Sequence, residues 1–503
     1  MLTDATALLL AIAIPSGATF LIAALGSRPN LRDGTSVLAS LTTFAVVLYL
    51  LNSVMAGARP EITLFEIMPG LPLGFAIEPL GMLFATVASG LWIATAIYSI
   101  GYMRGAGEKK QTRFYICFAI AIAAALGIAF SGNLFTLFIF YEVLTISTYP
   151  LVAHKETPEA RAGARVYLAI LMTTSILFFL VAVIWTWNIA GTLEFQPGGI
   201  LEGKIDPAFT PFLLALFAFG IGKAALMPFH RWLPAAMVAP TPVSALLHAV
   251  AVVKAGVFTM LKVGTYIFGA GFLSRTGASE WLVWLAAASI LIASMIALTK
   301  DDLKARLAYS TVSQLSYITL GMALANQMGI IGGSLHIVMH AMGKITLFMC
   351  AGAIYVAAHK TKVSELDGLG RKMPLTFIAF TIASFSIIGL PPFGGAWSKW
   401  YLILSAAEAE HLVVIGVLML SSLLNVAYLL PVAARAFFLP PRTGTAHAAG
   451  AVASPLKNAI EEAPFLCLLP ICVTALGCLV LFFSVGGLYE YLLSIPILRE
   501  IAP

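Results

Sequence analysis

The chain has 503 residues, of which 60% are hydrophobic and 10% are charged, whereas about 25% of residues are charged in a typical soluble domain. With a mean hydropathy of +0.96, it has too little polar surface to cover a particle in water. This excludes a soluble enzyme, a nucleic-acid-binding protein and a disordered scaffold. The composition predicts an all-α membrane protein that crosses the bilayer many times.

Fourteen apolar stretches reach the length of about 20 residues that a helix needs to cross the hydrocarbon core. They cover roughly residues 5–26, 35–55, 78–103, 113–130, 132–153, 162–188, 209–238, 241–264, 280–299, 305–325, 330–357, 374–407, 410–438 and 463–484. A short hairpin is expected over 57–77, in the outer segment between the second and third stretches. Pro60 and Pro72 limit the length of its strands.

Two of the predicted spans are overlong and broken. Pro228 and Pro234 interrupt the seventh, and the sequence PPFGG at 391–395 interrupts the twelfth. Each break is the fourth helix in a set of five, spans 4–8 and 9–13, which predicts two inverted repeats with ion sites at the breaks. We therefore divide the chain into 1–112 (the first three helices and the outer hairpin), 113–268 (a first half-channel), 280–438 (a second half-channel) and 439–503 (a linker, the last helix and an outer tail).

The basic residues fix the orientation of these spans. Twenty of the 29 Lys and Arg residues fall in the loops that follow odd-numbered spans, and four fall on the opposite side. The positive-inside rule then places both termini on the outer side of a membrane, expected to be the bacterial cytoplasmic membrane.

Eight titratable side chains lie deep inside predicted spans, where each costs roughly 3 kcal/mol or more unless it faces the bundle interior or a hydrated path. They are Glu142, Lys223, His248, Lys254, His336, His340, Lys344 and Lys399. A ninth, Lys262, lies near a helix end, and we expect its ammonium to extend to the membrane interface.

The spacing of these residues indicates proton transfer. His336, His340 and Lys344 are spaced i, i+4, i+8, which puts them on one helix face. Histidine titrates near neutrality and a desolvated lysine can approach that range, so this face can carry a proton. Glu142 needs a buried cation, and Lys223 is its expected partner, forming a switchable pair.

No signature of a bound cofactor is found. None of the five cysteines forms a CxxC pair, and no GxGxxG or Walker-type loop occurs. We expect no metal, no cofactor and no nucleotide hydrolysis in this chain, which predicts one component of a transporter and not an enzyme.

Four segments resemble a known family. They are KAALMPFHRWLPAAMVAPTPVSALLHA (223–249), KDDLKARLAYSTVSQLSYITLG (300–321), LHIVMHAMGKITLFMCAGAI (335–354) and GLPPFGGAWSKW (389–400). They are similar to the antiporter-like, proton-conducting membrane subunits of respiratory complex I, membrane-bound hydrogenases and Mrp-type cation/proton antiporters. Within that family, SSLLNVAYLLPVAARAFF (421–438) and EEAPFLCLLP (461–470) are most similar to the D-type component of Mrp Na⁺/H⁺ antiporters.

The resemblance implies roles for the buried residues. Glu142 and Lys223 would form the coupled pair of the first half-channel, and His248 and Lys254 would be bridging groups. The central relay would be His336, His340 and Lys344, and Lys399 would end the second half-channel.

The implied function is proton movement in an Mrp-type Na⁺/H⁺ antiporter, with other membrane subunits as partners. Three alternatives remain open: a proton-pumping subunit of complex I or of a membrane hydrogenase, a free-standing solute carrier, and a structural scaffold.

Overall fold

The structure is a computed structural model that describes residues 3–441 and 460–495. The side chains of Leu247 and His248, the latter a predicted site residue, lie outside this description. So do most of the linker predicted near 439–462 and the end of the predicted outer tail.

The first part of the chain is a series of helices joined by short connections, with one hairpin. The helices are α1 (Asp4–Ala24), α2 (Pro29–Met55), α3 (Pro79–Gly105), α4 (Gln111–Ala129), α5 (Leu134–Val152), α6 (Pro158–Thr174) and α7 (Leu180–Ala190). Strands β1 (Glu61–Met68) and β2 (Leu71–Ala76) pair antiparallel between α2 and α3, which confirms the predicted hairpin. A π-helical turn, Ser175–Phe179, joins α6 and α7 into one long span.

The middle of the chain is broken into short helices. In order they are α8 (Thr210–Gly220), a 3₁₀ turn (Gly222–Ala224), α9 (Trp232–Ala235), a 3₁₀ turn (Ala236–Val238), α10 (Thr241–Ala245), a π turn (Leu246–Val250), α11 (Val252–Val263), a π turn (Gly264–Phe268) and α12 (Ala270–Thr276). The axis bends by 77° between residues 252–268 and α12. Gly269, at φ 83°, makes this bend because a side chain would disfavour that backbone conformation.

The part of the chain after α12 contains the longest helix of the described residues. The remaining helices are α13 (Glu280–Thr299), α14 (Leu303–Ala323), α15 (Gln327–Ala358), α16 (Pro374–Ile388), α17 (Gly395–Glu408), α18 (Leu412–Phe438), α19 (Phe465–Phe483) and α20 (Val485–Leu492), with 3₁₀ turns at Val363–Glu365 and Leu369–Arg371. In α15 the most apolar window is 94% buried. This helix packs against α3, α14, α16, α17 and α19, so it forms the centre of the protein.

Side-chain caps fix where the site-bearing helices start. Asn133 accepts from the Thr136 amide at 2.7 Å and begins α5. Asp302 and Asn326 do the same for α14 and α15, each at 2.8 Å. Because a cap satisfies amides that have no partner within the helix, it fixes the helix start and hence which side chains face inward.

The chain is a multi-pass membrane protein. Within the described ranges, ten helices are long and apolar enough to cross a membrane, or eleven if the pair bent at Gly269 counts as one span. Three further predicted spans lie on α14, which is rich in hydroxyl side chains, and on the two broken segments 210–238 and 374–408. The all-helical prediction is therefore confirmed, and the predicted breaks in the seventh and twelfth spans are present.

Candidate functional site

A row of buried titratable side chains crosses the centre of the protein. The Lys254 ammonium on α11 contacts Nδ1 of His340 on α15. One turn earlier on α15, the His336 ring stacks on that of His340, with centroids 5.7 Å apart. Lys254 is fully buried, and both histidines are at most 2% exposed. The structure thus brings together three of the residues predicted from sequence.

The row continues from α15 to the second break. Nδ1 of His336 lies 2.9 Å from the Ser398 hydroxyl, and its ring stacks on that of Tyr317 at 5.4 Å. The next residue on α17, Lys399, has its ammonium 5.2 Å from the centre of the same tyrosine ring. Tyr317 and Ser398 therefore connect His336 to Lys399.

The break in the twelfth span creates the site that holds Lys399. Because α16 ends at Ile388, the carbonyl of that residue has no amide partner in the helix, and it accepts from the Lys399 ammonium at 2.9 Å. The partial negative charge at a helix C-terminus also favours a cation there. Ser422 on α18 accepts a second hydrogen bond at 2.9 Å. A cavity of about 580 Å³ lies beside this ammonium.

Lys344 forms a branch from the row. Its ammonium donates to the Ser310 hydroxyl at 2.6 Å and to the Leu307 carbonyl at 3.3 Å, both on α14. The Tyr428 hydroxyl on α18 lies 2.8 Å from the same serine oxygen. Lys344 therefore faces α14 and α18, one turn of α15 beyond His340.

Lys223 lies in the other break, between α8 and α9. Its ammonium donates to the Tyr141 carbonyl at 2.8 Å and to the Thr145 hydroxyl at 2.5 Å, and it lies 3.1 Å from the centre of the Tyr141 ring. The Lys223 amide donates to the Tyr141 hydroxyl at 3.0 Å, and the Gly222 carbonyl accepts from the Trp232 indole at 2.9 Å. Side chains thus satisfy the backbone groups that the break leaves without helical partners.

Glu142 and Lys223 are close but do not form a direct ion pair. The residues that hold the lysine, Tyr141 and Thr145, flank the glutamate on α5. Both Glu142 carboxylate oxygens are buried, with no hydrogen-bond partner among the described residues. The predicted coupling of the two residues would therefore act across space or through an intervening group.

The expectation for Lys262 is wrong. Instead of reaching the interface, this side chain is fully buried. Its ammonium donates to the Ser131 carbonyl at 2.9 Å and lies 3.3 Å from the Glu78 carboxylate. The reason is that the segment after α7 covers the end of this helix, where the Ile200 amide donates to the Ile267 carbonyl at 2.9 Å.

Neutral residues that sequence reasoning missed complete the site. Tyr141 and Thr145 hold Lys223, Ser310 holds Lys344, and Tyr317 with Ser398 connects His336 to Lys399. Ser310 and Tyr317 are seven residues apart on α14, a spacing that puts both on one face of the helix. That spacing is the only signal in the sequence, since hydroxyl side chains are common in helices.

Two titratable groups in the loop after α5 have shifted pKa values. Burial, reinforced by the nearby Arg113, lowers the pKa of His154 to about 4. Hydrogen bonds from Lys110 and Arg113 lower the pKa of the Glu156 carboxyl to about 2. These contacts join the loop to the start of α4 on the face where basic residues are concentrated.

The sequence matches two family models and several known relatives. The model described as NADH:quinone oxidoreductase/Mrp antiporter, transmembrane, matches residues 131–425, and that for the N-terminus of complex I chain 5 matches 69–115. NADH-quinone oxidoreductase subunit N of Desulforudis audaxviator is 34% identical over 82% of this chain and 82% of its own length. The chain belongs to the family of NADH:quinone oxidoreductase/Mrp antiporter transmembrane subunits.

One further relative is matched over only part of its own length. The A/B component of a probable K⁺/H⁺ antiporter of Rhizobium meliloti is 34% identical over 69% of this chain, but the match covers 34% of that protein. Among solved structures, a chain of the Mrp complex from Dietzia sp. superposes with a TM-score of 0.84 at 23% identity, covering 100% of this chain and 98% of the other. A chain of an archaeal membrane-bound sulfane sulfur reductase has the same TM-score at 24% identity, covering 98% and 99%. These two structures share the fold.

Proposed function

We propose that this chain is the proton-translocating subunit of an Mrp-type multisubunit monovalent cation (Na⁺)/proton antiporter. The observation that carries the proposal is the buried row that runs from Lys254 through His340 and His336 to Lys399. Charged groups at membrane depth are costly and are kept where they serve ion or proton pathways. A connected row of four such groups that ends at the broken twelfth span has no comparable structural purpose.

The two predicted half-channels have distinct parts in this proposal. The first, residues 113–268, holds Glu142, Lys223 and Lys254, and the second, residues 280–438, holds the α15 residues and Lys399. The contact between Lys254 and His340 is where a proton passes from one half to the other. The Glu142–Lys223 pair acts as the switch, because a proton bound at one residue changes the proton affinity of the other.

The wider setting is also part of the proposal. We place the chain in the cytoplasmic membrane of a bacterium, with both termini outside and the basic loops inside. It works with other membrane subunits. In support of this, a chain with the same fold is part of the Mrp complex from Dietzia sp.. The similarity to a component of a K⁺/H⁺ antiporter supports exchange of a monovalent cation for protons.

The test is antiport in everted vesicles that carry the whole complex. Lys223→Ala is expected to abolish Na⁺-dependent and K⁺-dependent proton exchange while native gels show an assembled complex. Lys204→Ala, at an exposed lysine of an outer loop, is the matched control and is expected to transport normally. Unchanged exchange in assembled Lys223→Ala complex would contradict the assignment.

A second candidate is a proton-pumping subunit of a redox-driven complex of the complex I or membrane-hydrogenase type. The specific observation in its favour is the 34% identity to a quinone oxidoreductase subunit over most of both chains. In that case the driving reaction would take place in partner subunits. Mass spectrometry of the intact purified complex separates the two candidates, because only the redox complex contains flavin and iron–sulfur subunits.

A further inference from the structure

Gln314 on α14 is a buried polar residue that the row described above does not include. Its side chain is fully buried, and neither its amide oxygen nor its amide nitrogen has a hydrogen-bond partner among the described residues. A buried polar group without a partner destabilises the folded state. Such a group at the centre of a membrane protein calls for a specific reason.

The register between α14 and α15 places Gln314 beside His340. Residues 324–326 join the two helices, and such a short connection makes them antiparallel neighbours. Ser310 contacts Lys344, and Tyr317 stacks on His336. Moving seven residues forward on α14 therefore corresponds to moving eight residues back on α15.

Gln314 is four residues after Ser310 and three before Tyr317, so it lies on the same face of α14 as both. Its level on α15 is accordingly four residues before Lys344, which is the level of His340.

At this level a gap separates the row from its Lys344 branch. His340 and Lys344 are one turn apart on α15, a rise of about 6 Å, whereas a hydrogen bond spans about 3 Å. An ordered water needs two to four polar partners, and the side chains of Ser310, Gln314, His340 and Lys344 supply them. A glutamine amide both donates and accepts but does not titrate, so it can orient water without trapping the proton.

We propose that Gln314 binds water that bridges Lys344 and His340, and that it is thereby a positioning residue for proton passage between them. The inference rests on the proposed function and takes the Lys344 branch as part of the path along which protons move. Gln314 itself carries no proton. When Lys254 is uncharged, it no longer has to donate to His340, and an imidazole nitrogen is free to accept. The bridging water then accepts a proton from the Lys344 ammonium and gives one to that nitrogen, and the reverse transfer follows the same path.

Substitutions that remove the amide without changing its size much provide the test. Gln314→Leu is expected to lower exchange per assembled complex roughly tenfold, the effect of losing about one hydrogen bond in the limiting step. Its melting temperature should not fall, because an apolar side chain removes a buried group that has no protein partner. Gln314→Met is a second apolar variant, should the branched leucine disturb the packing of α14 on α15. Gln314→Asn keeps the amide and leaves room for another water, so it is expected to retain most of the exchange.

The control is Thr319→Val. It removes a buried hydroxyl that also has no described partner, on the opposite face of α14. It is expected to transport normally. A solvent deuterium isotope effect that increases in Gln314→Leu, but not in Thr319→Val, would show that proton transfer has become limiting. A structural role would leave that isotope effect unchanged.

Three outcomes would overturn the inference: normal exchange in both apolar variants, equal losses in Gln314→Leu and Thr319→Val, or an unchanged isotope effect. His340→Ala and Lys344→Ala in the same vesicles separate this inference from the proposed function. If they abolish exchange while the Gln314 variants transport normally, the bridging water is wrong and the row stands. If they transport normally as well, the proposed function is itself wrong.

Discussion

The Lys254 ammonium contacts Nδ1 of His340, although the two residues are 86 positions apart and belong to different predicted half-channels. A lysine ammonium can only donate. When Lys254 is charged, Nδ1 of His340 must therefore accept, and the proton of a neutral imidazole is on Nε2. The contact thus sets the tautomer of the histidine and joins the two halves of the chain.

This contact predicts a non-additive pair of substitutions. Lys254→Met and His340→Gln are each expected to lower exchange roughly 100-fold, the size of effect seen when a proton-transfer group is lost. The double variant should be no worse than either single one, because both interrupt the same step. Exchange in everted vesicles, normalised to assembled complex, measures the effect, with exposed Lys360→Met as the control. Losses that multiply in the double variant would contradict a shared step.

A second prediction concerns the packing that holds the Lys223 break. A Cβ at Gly256 on α11 would lie 2.3 Å from the Lys223 carbonyl carbon and the Ala224 nitrogen. Gly256→Ala is therefore expected to destabilise the protein by about 1–3 kcal/mol or more, through overpacking against backbone that cannot yield. The measurement is the melting temperature of the detergent-solubilised complex.

Gly416 on α18 is the matched control, since a Cβ there would meet nothing within 4 Å. Gly416→Ala is expected to stabilise the helix by about 0.5–1 kcal/mol, because alanine loses less conformational freedom on folding. The two substitutions should shift the melting temperature in opposite directions. A melting temperature for Gly256→Ala that is no lower than that of the unsubstituted protein would show that the approach of α11 to the break is not tight.

A third prediction concerns the buried pair of Lys262 and Glu78. The glutamate also accepts from the Leu80 and Gly81 amides and from the Tyr266 hydroxyl, each at 2.8 Å. Glu78→Gln is expected to lower the melting temperature strongly, because it leaves a buried ammonium without its counter-charge. The double variant with Lys262→Met should recover part of the loss, since the unpaired charge is then gone. A double variant less stable than Glu78→Gln would contradict this account.

A fourth prediction concerns pH. The unfolded chain binds a proton at His154 below about pH 6.5, whereas the folded chain does so only near the lowered pKa of about 4. The unfolded state therefore binds more protons in this window, and His154 makes the protein less stable as the pH falls from 6.5 towards 4.

His154→Phe keeps an aromatic ring and removes the titration. Its melting temperature is expected to fall less between pH 7 and pH 4.5 than that of the wild type. Parallel curves for the two proteins would show that His154 does not titrate differently in the folded and unfolded states.

Most of the architecture could be predicted because the bilayer imposes a simple rule on the sequence. A helix must be apolar for about 20 residues, and proline with glycine marks where it breaks. The ends of α3, α13 and α15 thus lie within a few residues of the predicted limits. The π turns left no sequence signal, since a single inserted residue changes neither hydropathy nor length enough to be noticed.

The candidate site could be predicted only where it is charged. A lysine or histidine in an apolar span is conspicuous, and Lys254, His336, His340 and Lys399 lie in one connected row. The expectation for Lys262 fails because a loop about 60 residues earlier in the chain covers this side chain. The position of a residue within its own helix does not reveal such a long-range contact. The neutral residues of the site escaped notice because serine, tyrosine and glutamine carry no charge to mark them.

The acceptors of Lys344 and Lys399 have a mechanical consequence. Each ammonium is held by one carbonyl and one hydroxyl oxygen, from Leu307 and Ser310 or from Ile388 and Ser422. A neutral amine still has hydrogens to donate, so both contacts can survive the loss of the proton. The residues around these two lysines can therefore keep their positions while each lysine gains or loses its proton. Protons can then pass through the protein without a movement of its helices.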